Sequence, residues 1–236
     1  MIRTVASRVM QSLREYRAWE QAKRDTKSFG FWYVDIPRTS SSSIRTELAA
    51  HFGTNFGKRY LFDDKYAVKQ SYPAHIPANR VRKKIGQELW DSTFTFTLVR
   101  NPWDRVFSIY WYARKAGDFP ESFSFRECVL QYRSPRYLQR PSVHSVYPYY
   151  YSASEYLVDR QGELLVNFVG RYENRAADLA YIGNKIGHPT LGNLAIQQAA
   201  PHVHYSRHYD DEMIDIVRTV FWADIERFGY EFEIKP

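Results

Sequence analysis

Hydroxyl and cationic side chains are concentrated in one short stretch near the start of the chain. Residues 32–48 read WYVDIPRTSSSSIRTEL, and the polar side chains that follow the proline are Arg38, Thr39, Ser40, Ser41, Ser42 and Ser43. A loop that leaves a strand and opens a helix presents unpaired backbone N–H groups and the positive end of the helix dipole. Such a loop binds phosphate readily. Taken alone, the stretch is equally consistent with phosphate binding and with serines that cap a helix and form a turn.

A second polar set follows the apolar run 92–99 and reads RNPWDRVFSIYWYARK. Arg100 comes where a strand is expected to end, and Pro102 suits the first turn of a helix, where its missing N–H needs no partner. Ser108 lies two turns into that helix. If the strand-to-helix turn folds back, Arg100 and Ser108 converge on one phosphate, and arginine–phosphate contacts are strong and often bidentate. Arg105 is equally consistent with a ligand role and with a structural or solvent-facing ion pair.

Three units, each a strand followed by a helix, are expected to position these polar residues. Short runs of aromatic and β-branched residues predict buried strands within 29–36, 92–99 and 164–174, and a helical pattern follows each run. This alternation predicts an α/β fold with a parallel sheet. Ligands of such sheets bind outside the carboxyl ends of the strands. The loop 37–43 and the segment 100–105 are therefore expected on the same rim.

The chain is interpreted as one domain, 1–236, because its 236 residues are 44% hydrophobic and contain no low-complexity linker. The stretch 1–28 is predicted to be a charged N-terminal helix. Residues 117–155 are irregular and rich in proline, arginine and tyrosine, and are interpreted as an insertion. A single long C-terminal helix is predicted, with Asp210 or Asp211 as its cap.

The overall charge favours a polyanionic partner. The net charge is +7 and the isoelectric point is near 9.3, which suits a nucleotide, a nucleic acid, an acidic glycan or a membrane surface. The single cysteine excludes an internal disulfide framework and a cysteine-based zinc site. No run approaches the roughly 18 consecutive apolar residues of a membrane span, and no secretory signal is seen. These features predict a soluble cytoplasmic protein, with a trimmed Golgi-lumenal protein as the alternative.

Four segments, in order, resemble the sulfotransferases that use 3′-phosphoadenosine 5′-phosphosulfate (PAPS), and most closely their carbohydrate, glycosaminoglycan-type branch. DIPRTSSSSI is similar to the loop that binds the 5′-phosphosulfate, and FTFTLVRNPWDRVFSIYWYARK is similar to the motif that binds the 3′-phosphate. NFVGRYENRAADLAYIGNKIG and YDDEMIDIVRTVFWADIERFGYEF resemble later segments of that branch. The resemblance implies the P-loop-kinase-like sulfotransferase fold, with a central parallel β-sheet flanked by helices.

The same resemblance implies PAPS as co-substrate, without a metal, and transfer of its sulfuryl group to an acceptor hydroxyl. The 3′-phosphate is assigned to Arg100 and Ser108. The 5′-phosphosulfate is assigned to Arg38, Thr39, Ser40, Ser41, Ser42 and Ser43. The family usually has lysine at position 38. Arginine supplies charge and several donors but almost never gives up its proton, so Arg38 is expected to stabilise the leaving phosphate by charge.

His75 is the predicted catalytic base. Sulfuryl transfer to a hydroxyl needs a group that takes the proton of the acceptor. His75 stands just before a predicted helix, between the serine loop and the strand that ends at Arg100. A catalytic histidine occupies that interval in the glycosaminoglycan 2-O-sulfotransferases that the chain resembles. The alternative is a neutral histidine that is hydrogen-bonded at the helix N-terminus. His51 and His188 are interpreted as structural.

The acceptor is expected to be a carbohydrate, with a lipid-linked sugar, a small metabolite and a protein tyrosine as further candidates. Tyrosine rings suit sugar faces, and an anionic glycan would suit the arginines of the insertion, which are Arg126, Arg133, Arg136 and Arg140. His204 and Tyr205, in HVHYSRH, are expected near the acceptor. A metal site in this segment is less favoured, because no carboxylate or cysteine completes a recognised pattern.

Two other functions are compatible with the sequence. An ATP-dependent small-molecule kinase on the same fold would need a phosphate loop, but the serine stretch lacks both glycines and the lysine of a Walker A motif. A basic, non-enzymatic nucleic-acid-binding module would suit the net charge, but no recognised nucleic-acid motif is present. A nucleotide co-substrate and no nucleic-acid partner are therefore the favoured interpretation.

Overall fold

Three parallel strands form the centre of the computed structural model, which describes residues 2–53, 75–133, 152–194 and 203–234. The strands β1 (Phe31–Tyr33), β2 (Phe94–Val99) and β3 (Phe168–Arg171) lie in the order β1-β2-β3. In their register Phe31 pairs with Phe94, and Phe96 pairs with Phe168. The predicted α/β fold with a parallel sheet is confirmed.

Helices surround this sheet on the described part of the chain. They are α1 (Ile2–Phe29), α2 (Ser41–Phe52), α3 (Ala78–Ile85), α4 (Gln87–Asp91), α5 (Pro102–Lys115), α6 (Phe125–Gln131), α7 (Ala153–Leu157), α8 (Arg175–Ile186), α9 (Asp211–Val220) and α10 (Trp222–Phe228). Because α2, α5 and α8 each begin a few residues after β1, β2 and β3, the three predicted strand-and-helix units are present.

One prediction about the ends of the elements agrees with the structure and one differs. The segment 164–174, predicted to contain a strand, holds β3, and the chain turns into a short 3-10 helix at Tyr172–Asn174 as soon as β3 ends. The predicted single C-terminal helix is wrong, since it divides at Phe221 into α9 and α10. Phe221 is almost fully buried, and its non-helical backbone lets both helices pack against the core. Asp210 caps α9 as expected, because its Oδ1 accepts a hydrogen bond from the Met213 N–H at 2.8 Å.

The starts of α2 and α5 are built differently. Asn101 caps α5, because its side-chain oxygen accepts a hydrogen bond from the Trp103 N–H at 3.1 Å, and Pro102 occupies the first turn. Ser40 occupies the same position before α2, but its side chain makes no capping bond and its φ of +71° is left-handed. The serine at this helix start therefore does not act as an ordinary cap.

Two apolar clusters hold the described helices and strands together. The first surrounds the sheet and includes Trp32, Phe96 and Leu48. The second joins α5, α6 and α9 through side chains such as Phe107 and Val217. Burial of such side chains contributes roughly 1.5–3 kcal/mol each relative to exposure. The start of α5 lies between the two clusters and is held firmly beside the sheet.

None of the helices in the described residues combines the length and the apolar composition that a membrane-spanning segment needs. This finding agrees with the membrane-span prediction made from the sequence.

Gly183→Ala tests the close packing of α8. A Cβ at Gly183 would meet the backbone carbonyl oxygen of His188. We expect the substitution to lower the free energy of unfolding by about 1–3 kcal/mol, although alanine favours a helix by about 1 kcal/mol over glycine. The measurement is chemical denaturation followed by circular dichroism. Asn184→Ala, at the exposed neighbouring position, is the control and should leave stability unchanged or slightly higher. An unchanged midpoint for Gly183→Ala would contradict the packing.

Candidate functional site

Polar residues from all three strand ends meet at the carboxyl edge of the sheet. The loop Asp35–Ser41 follows β1, Arg100 and Asp104 follow β2, and Tyr172 follows β3. In open parallel sheets this edge is where ligands bind. The contacts among these residues therefore define the candidate site.

The serine loop has an unusual backbone. Arg38 and Ser40 have φ values of +67° and +71°, in the left-handed region that residues other than glycine rarely adopt. The Thr39 hydroxyl donates to the Ile36 carbonyl at 2.9 Å and closes the turn between them. Alternating left-handed residues can turn successive N–H groups toward one point, which is the geometry of an anion nest. The loop therefore adopts a left-handed backbone at two positions without a glycine.

Arg38 connects this loop with α5. Its Nε donates to the Ser108 hydroxyl oxygen at 3.1 Å, across 70 positions of sequence. Its guanidinium also lies over the Tyr112 ring, 4.5 Å from the ring centroid. The residue expected at the 5′-phosphosulfate thus contacts the residue expected at the 3′-phosphate. The two predicted phosphate motifs form one continuous site.

Arg100 is held from three sides at the end of β2. Its Nε and Nη2 donate to the two carboxylate oxygens of Asp104 at 2.7 and 2.8 Å, and its Nη1 donates to the Arg38 carbonyl at 3.1 Å. Its guanidinium stacks on Tyr172, with 4.0 Å to the ring centroid. Burial alone would lower the pKa of Arg100, but Asp104, Tyr172 and Glu173 raise it above its ordinary value. Arg100 is a permanent, oriented cation.

Arg105 forms a hydrogen bond to the backbone just before the serine loop. It is 1% exposed, and its Nε donates to the Pro37 carbonyl at 3.1 Å. Asp104, the residue before Arg105, pairs with Arg100, with 2.7 Å between Oδ2 and Nε. Arg105 is therefore part of the scaffold that holds the turn before Arg38.

His75 lies against the end of β1. Its Nδ1 is 3.2 Å from the Asp35 backbone oxygen and 3.3 Å from the Asp35 Oδ1. Its side chain is 14% exposed, so the ring is close to solvent on one side. Asp35 is only three residues before Arg38. The predicted base and the predicted phosphate loop are therefore neighbours at the same strand end.

Asp35 is a buried carboxylate with several partners. Its Oδ2 accepts a hydrogen bond from Arg45 Nη1, on α2, at 2.5 Å. Burial alone would raise the pKa of Asp35, but Arg45, His75 and the Ser41 hydroxyl together hold it well below its ordinary value. Asp35 is therefore ionised at neutral pH, and its charge is compensated by Arg45.

The residues expected near the acceptor lie further along the chain. Arg133 is exposed and pairs with Glu212, with 2.6 Å between Nη1 and Oε1. Tyr205 is buried, and its hydroxyl accepts a hydrogen bond from the Glu233 N–H at 3.1 Å. The His204 Nδ1 lies 2.8 Å from the Ser206 hydroxyl. Arg136 lies outside the described residues.

Of the other two arginines of the insertion, one lies within the described residues and one does not. Arg126 is exposed and pairs with Asp210 and Glu212, whereas Arg140 lies outside the described residues. In the part of the chain that the structure describes, no three histidine, cysteine, aspartate or glutamate side chains form a group that could hold a metal ion.

A cleft of about 490 Å³ opens at the opposite, amino edge of the sheet, between α1 and α4. Gly30 and Thr93, which directly precede β1 and β2, line it together with the charged residues Glu20, Lys23, Arg24, Lys27 and Glu88. It contains none of the predicted site residues. The hydrogen-bonded arginines, rather than this cleft, identify the candidate site.

Sequence reasoning missed four contributors, namely Asp35, Asp104, Tyr112 and Tyr172. A usable signal existed for two of them. Asp35 directly follows the apolar end of a strand, and Asp104 is four residues after Arg100, the spacing at which helical charges pair. The two tyrosines carry no local signal, because their contact with an arginine depends on how the elements pack.

Sequence comparison identifies a protein that is similar to this chain. No family model matches the chain, and no solved structure matches it. A protein from Archaeoglobus fulgidus is 32% identical over 127 residues, which are 53% of this chain and 93% of the archaeal protein. The archaeal protein is described as an uncharacterized protein. At this identity and coverage, the chain belongs to the same family as that archaeal protein.

Proposed function

We propose that the protein is a PAPS-dependent sulfotransferase that transfers a sulfuryl group to an acceptor hydroxyl on a carbohydrate. The observation that carries this proposal is the contact between the two predicted phosphate motifs, in which Arg38 donates to Ser108 and Arg100 donates to the Arg38 carbonyl. A nucleotide that carries phosphate at both its 5′ and 3′ positions needs two cationic sites close together. The edge of this sheet provides them.

The local charge supports an anionic ligand. Arg38, Arg100 and Arg105 bring three guanidinium groups to the loop and the start of α5, where Arg38 donates to Ser108 and Arg100 pairs with Asp104. Cationic groups gathered at one place attract an anion. Arginine also binds phosphate through two parallel hydrogen bonds.

The loop fits the 5′-phosphosulfate in a second respect. The Ser40 hydroxyl oxygen is buried and has no hydrogen-bond partner among the described residues. Buried hydroxyl groups are normally hydrogen-bonded, so this one is available to an oxygen of the ligand. Together with the left-handed backbone at Arg38 and Ser40 and the start of α2, it supports the assignment of the loop to the phosphosulfate.

The motif resemblance and the parallel sheet together support the sulfotransferase fold related to P-loop kinases. The phosphate loop lies between β1 and α2, and the second phosphate motif lies between β2 and α5. This is the order that the resemblance implies. The sulfotransferase fold is therefore proposed together with the function.

The proposed reaction is an in-line displacement at sulfur. When bound, PAPS supplies the sulfuryl group and leaves as 3′-phosphoadenosine 5′-phosphate. A bond forms between the acceptor oxygen and sulfur while the bridging sulfur–oxygen bond breaks, and its electrons leave with the phosphate. His75 takes the proton of the acceptor hydroxyl. Arg38 stabilises the leaving phosphate through its fixed charge rather than by giving up a proton.

Calorimetric titration of the full chain with three ligands tests the function. We expect 3′-phosphoadenosine 5′-phosphate to bind at least about tenfold more tightly than adenosine 5′-phosphate, because each arginine–phosphate contact contributes on the order of 1.5–3 kcal/mol. ATP with Mg²⁺ and a single-stranded oligonucleotide should bind more weakly. A preference for ATP with Mg²⁺ would favour a kinase, and salt-dependent preference for the oligonucleotide would favour a nucleic-acid-binding module. A folded protein that does not bind the first ligand contradicts the proposal.

Ser108→Ala tests the assignment of the 3′-phosphate. The Ser108 oxygen accepts a hydrogen bond from Arg38, so its own proton is available for the ligand. We expect the variant to bind 3′-phosphoadenosine 5′-phosphate about tenfold more weakly and adenosine 5′-phosphate almost unchanged. Thr219→Ala removes an exposed helical hydroxyl that donates to the Asp215 carbonyl, and should change neither affinity. Equal weakening of both ligands by Ser108→Ala would place the serine elsewhere in the site.

His75→Ala tests the base. We expect the variant to retain affinity for 3′-phosphoadenosine 5′-phosphate and to lose turnover by a factor of roughly 10², measured with labelled PAPS in an acceptor screen that includes anionic glycans. His51→Ala is the matched control, because His51 is an exposed histidine on α2 that stacks on His188 with 3.9 Å between ring centroids. Turnover of His75→Ala at the wild-type level removes His75 from this role.

A further inference from the structure

The two ring nitrogens of His75 have different surroundings. Nδ1 faces two oxygens of one residue, the backbone oxygen of Asp35 at 3.2 Å and its Oδ1 at 3.3 Å. A carbonyl oxygen and an ionised carboxylate oxygen are both acceptors only. Nδ1 therefore carries the proton and donates it to the backbone oxygen, while the Oδ1, which accepts no hydrogen bond among the described residues, attracts this N–H through its negative charge. In the neutral ring, Nε2 is then the nitrogen with a free electron pair.

Asp35 is held as an oriented carboxylate, which is the form that favours a proton on Nδ1 of His75. It is 2% exposed, and Arg45 binds its Oδ2, so the carboxylate is ionised and oriented with its Oδ1 toward His75. Arg45 is on α2, the helix that begins in the serine loop. The positions of the carboxylate, of the histidine ring and of the phosphate loop are thus coupled through one strand end and one helix.

We propose that Asp35 is a positioning residue that fixes the Nδ1–H tautomer and the orientation of His75, so that Nε2 is the atom that takes the acceptor proton. This inference rests on the proposed function, because His75 acts as a base only if the protein transfers a group to a hydroxyl. When Nε2 takes the proton, the ring becomes a cation beside the Asp35 carboxylate, which stabilises it. Arg45 compensates the charge of Asp35 before that step.

The tautomer is measured directly on the wild-type chain. In ¹⁵N-labelled protein at about pH 8.5, where an ordinary histidine ring is neutral, a long-range ¹H–¹⁵N correlation spectrum distinguishes protonated from unprotonated ring nitrogens. The resonances of His75 are identified by their loss in His75→Ala. We expect a protonated Nδ1 and an unprotonated Nε2. A protonated Nε2 overturns the proposal whether or not the protein is a sulfotransferase.

A double-mutant cycle tests whether Asp35 acts through His75. Asp35→Asn should lower kcat about 10-fold to 10²-fold, with little change in the affinity for 3′-phosphoadenosine 5′-phosphate or in the acceptor KM. In the His75→Ala background, the same change should cost almost nothing further, because the residue that Asp35 positions is gone. A purely structural role predicts the same loss in both backgrounds and would overturn the proposal.

Circular dichroism and the melting midpoint separate a loss of folding from a loss of positioning. Asp35→Asn leaves Arg45 without its carboxylate, so circular dichroism and the melting midpoint establish that the variant is folded. If it is unfolded, the wild-type tautomer decides the proposal. A wild-type protein with the Nδ1–H tautomer but without nucleotide binding or transfer contradicts the proposed function, while the positioning of the ring by Asp35 is supported.

Discussion

Hydrogen bonds from two arginines to the backbone of the serine loop are the interactions on which the candidate site depends. Arg105 donates to the Pro37 carbonyl, and Arg100 donates to the Arg38 carbonyl. Both arginines follow β2, whereas both carbonyls follow β1, so these bonds hold the two strand ends together. They also stabilise a backbone that would otherwise be costly, because left-handed residues other than glycine are unfavourable by about 1–3 kcal/mol each.

The same bonds explain how a loop without glycine keeps a left-handed backbone at Arg38 and Ser40. Glycine-rich phosphate loops reach left-handed conformations at little cost. Here buried guanidinium groups stabilise the backbone through hydrogen bonds to its carbonyls. Burying arginine is itself expensive, and the cost is offset where carbonyls, the Asp104 carboxylate and the Tyr172 ring surround the charge. An anionic ligand would add a further compensating charge, so the loop and its support are complementary parts of one site.

Asp35 extends this arrangement to the proposed base. The strand end that precedes Arg38 also presents a buried carboxylate to His75, and Arg45 on α2 keeps that carboxylate ionised. Ligand binding and proton transfer are therefore assigned to groups that share a rigid support. Such sharing keeps reacting groups aligned, which is a large part of what an enzyme contributes to a two-substrate reaction.

The sequence by itself determined the local features: the strand-and-helix units, a cap at Asp210 or Asp211, and the placement of Arg38 and Arg100 after strands. These follow from periodicity and from residues next to one another in the chain. Tertiary structure alone decided the partners, since Arg38 meets Ser108 and His75 meets Asp35 across 70 and 40 positions of sequence. It also divided the C-terminal helix at Phe221, where burial in the second core outweighed the continuous helical pattern. Long-range contacts depend on sheet order and helix packing, which no local pattern specifies.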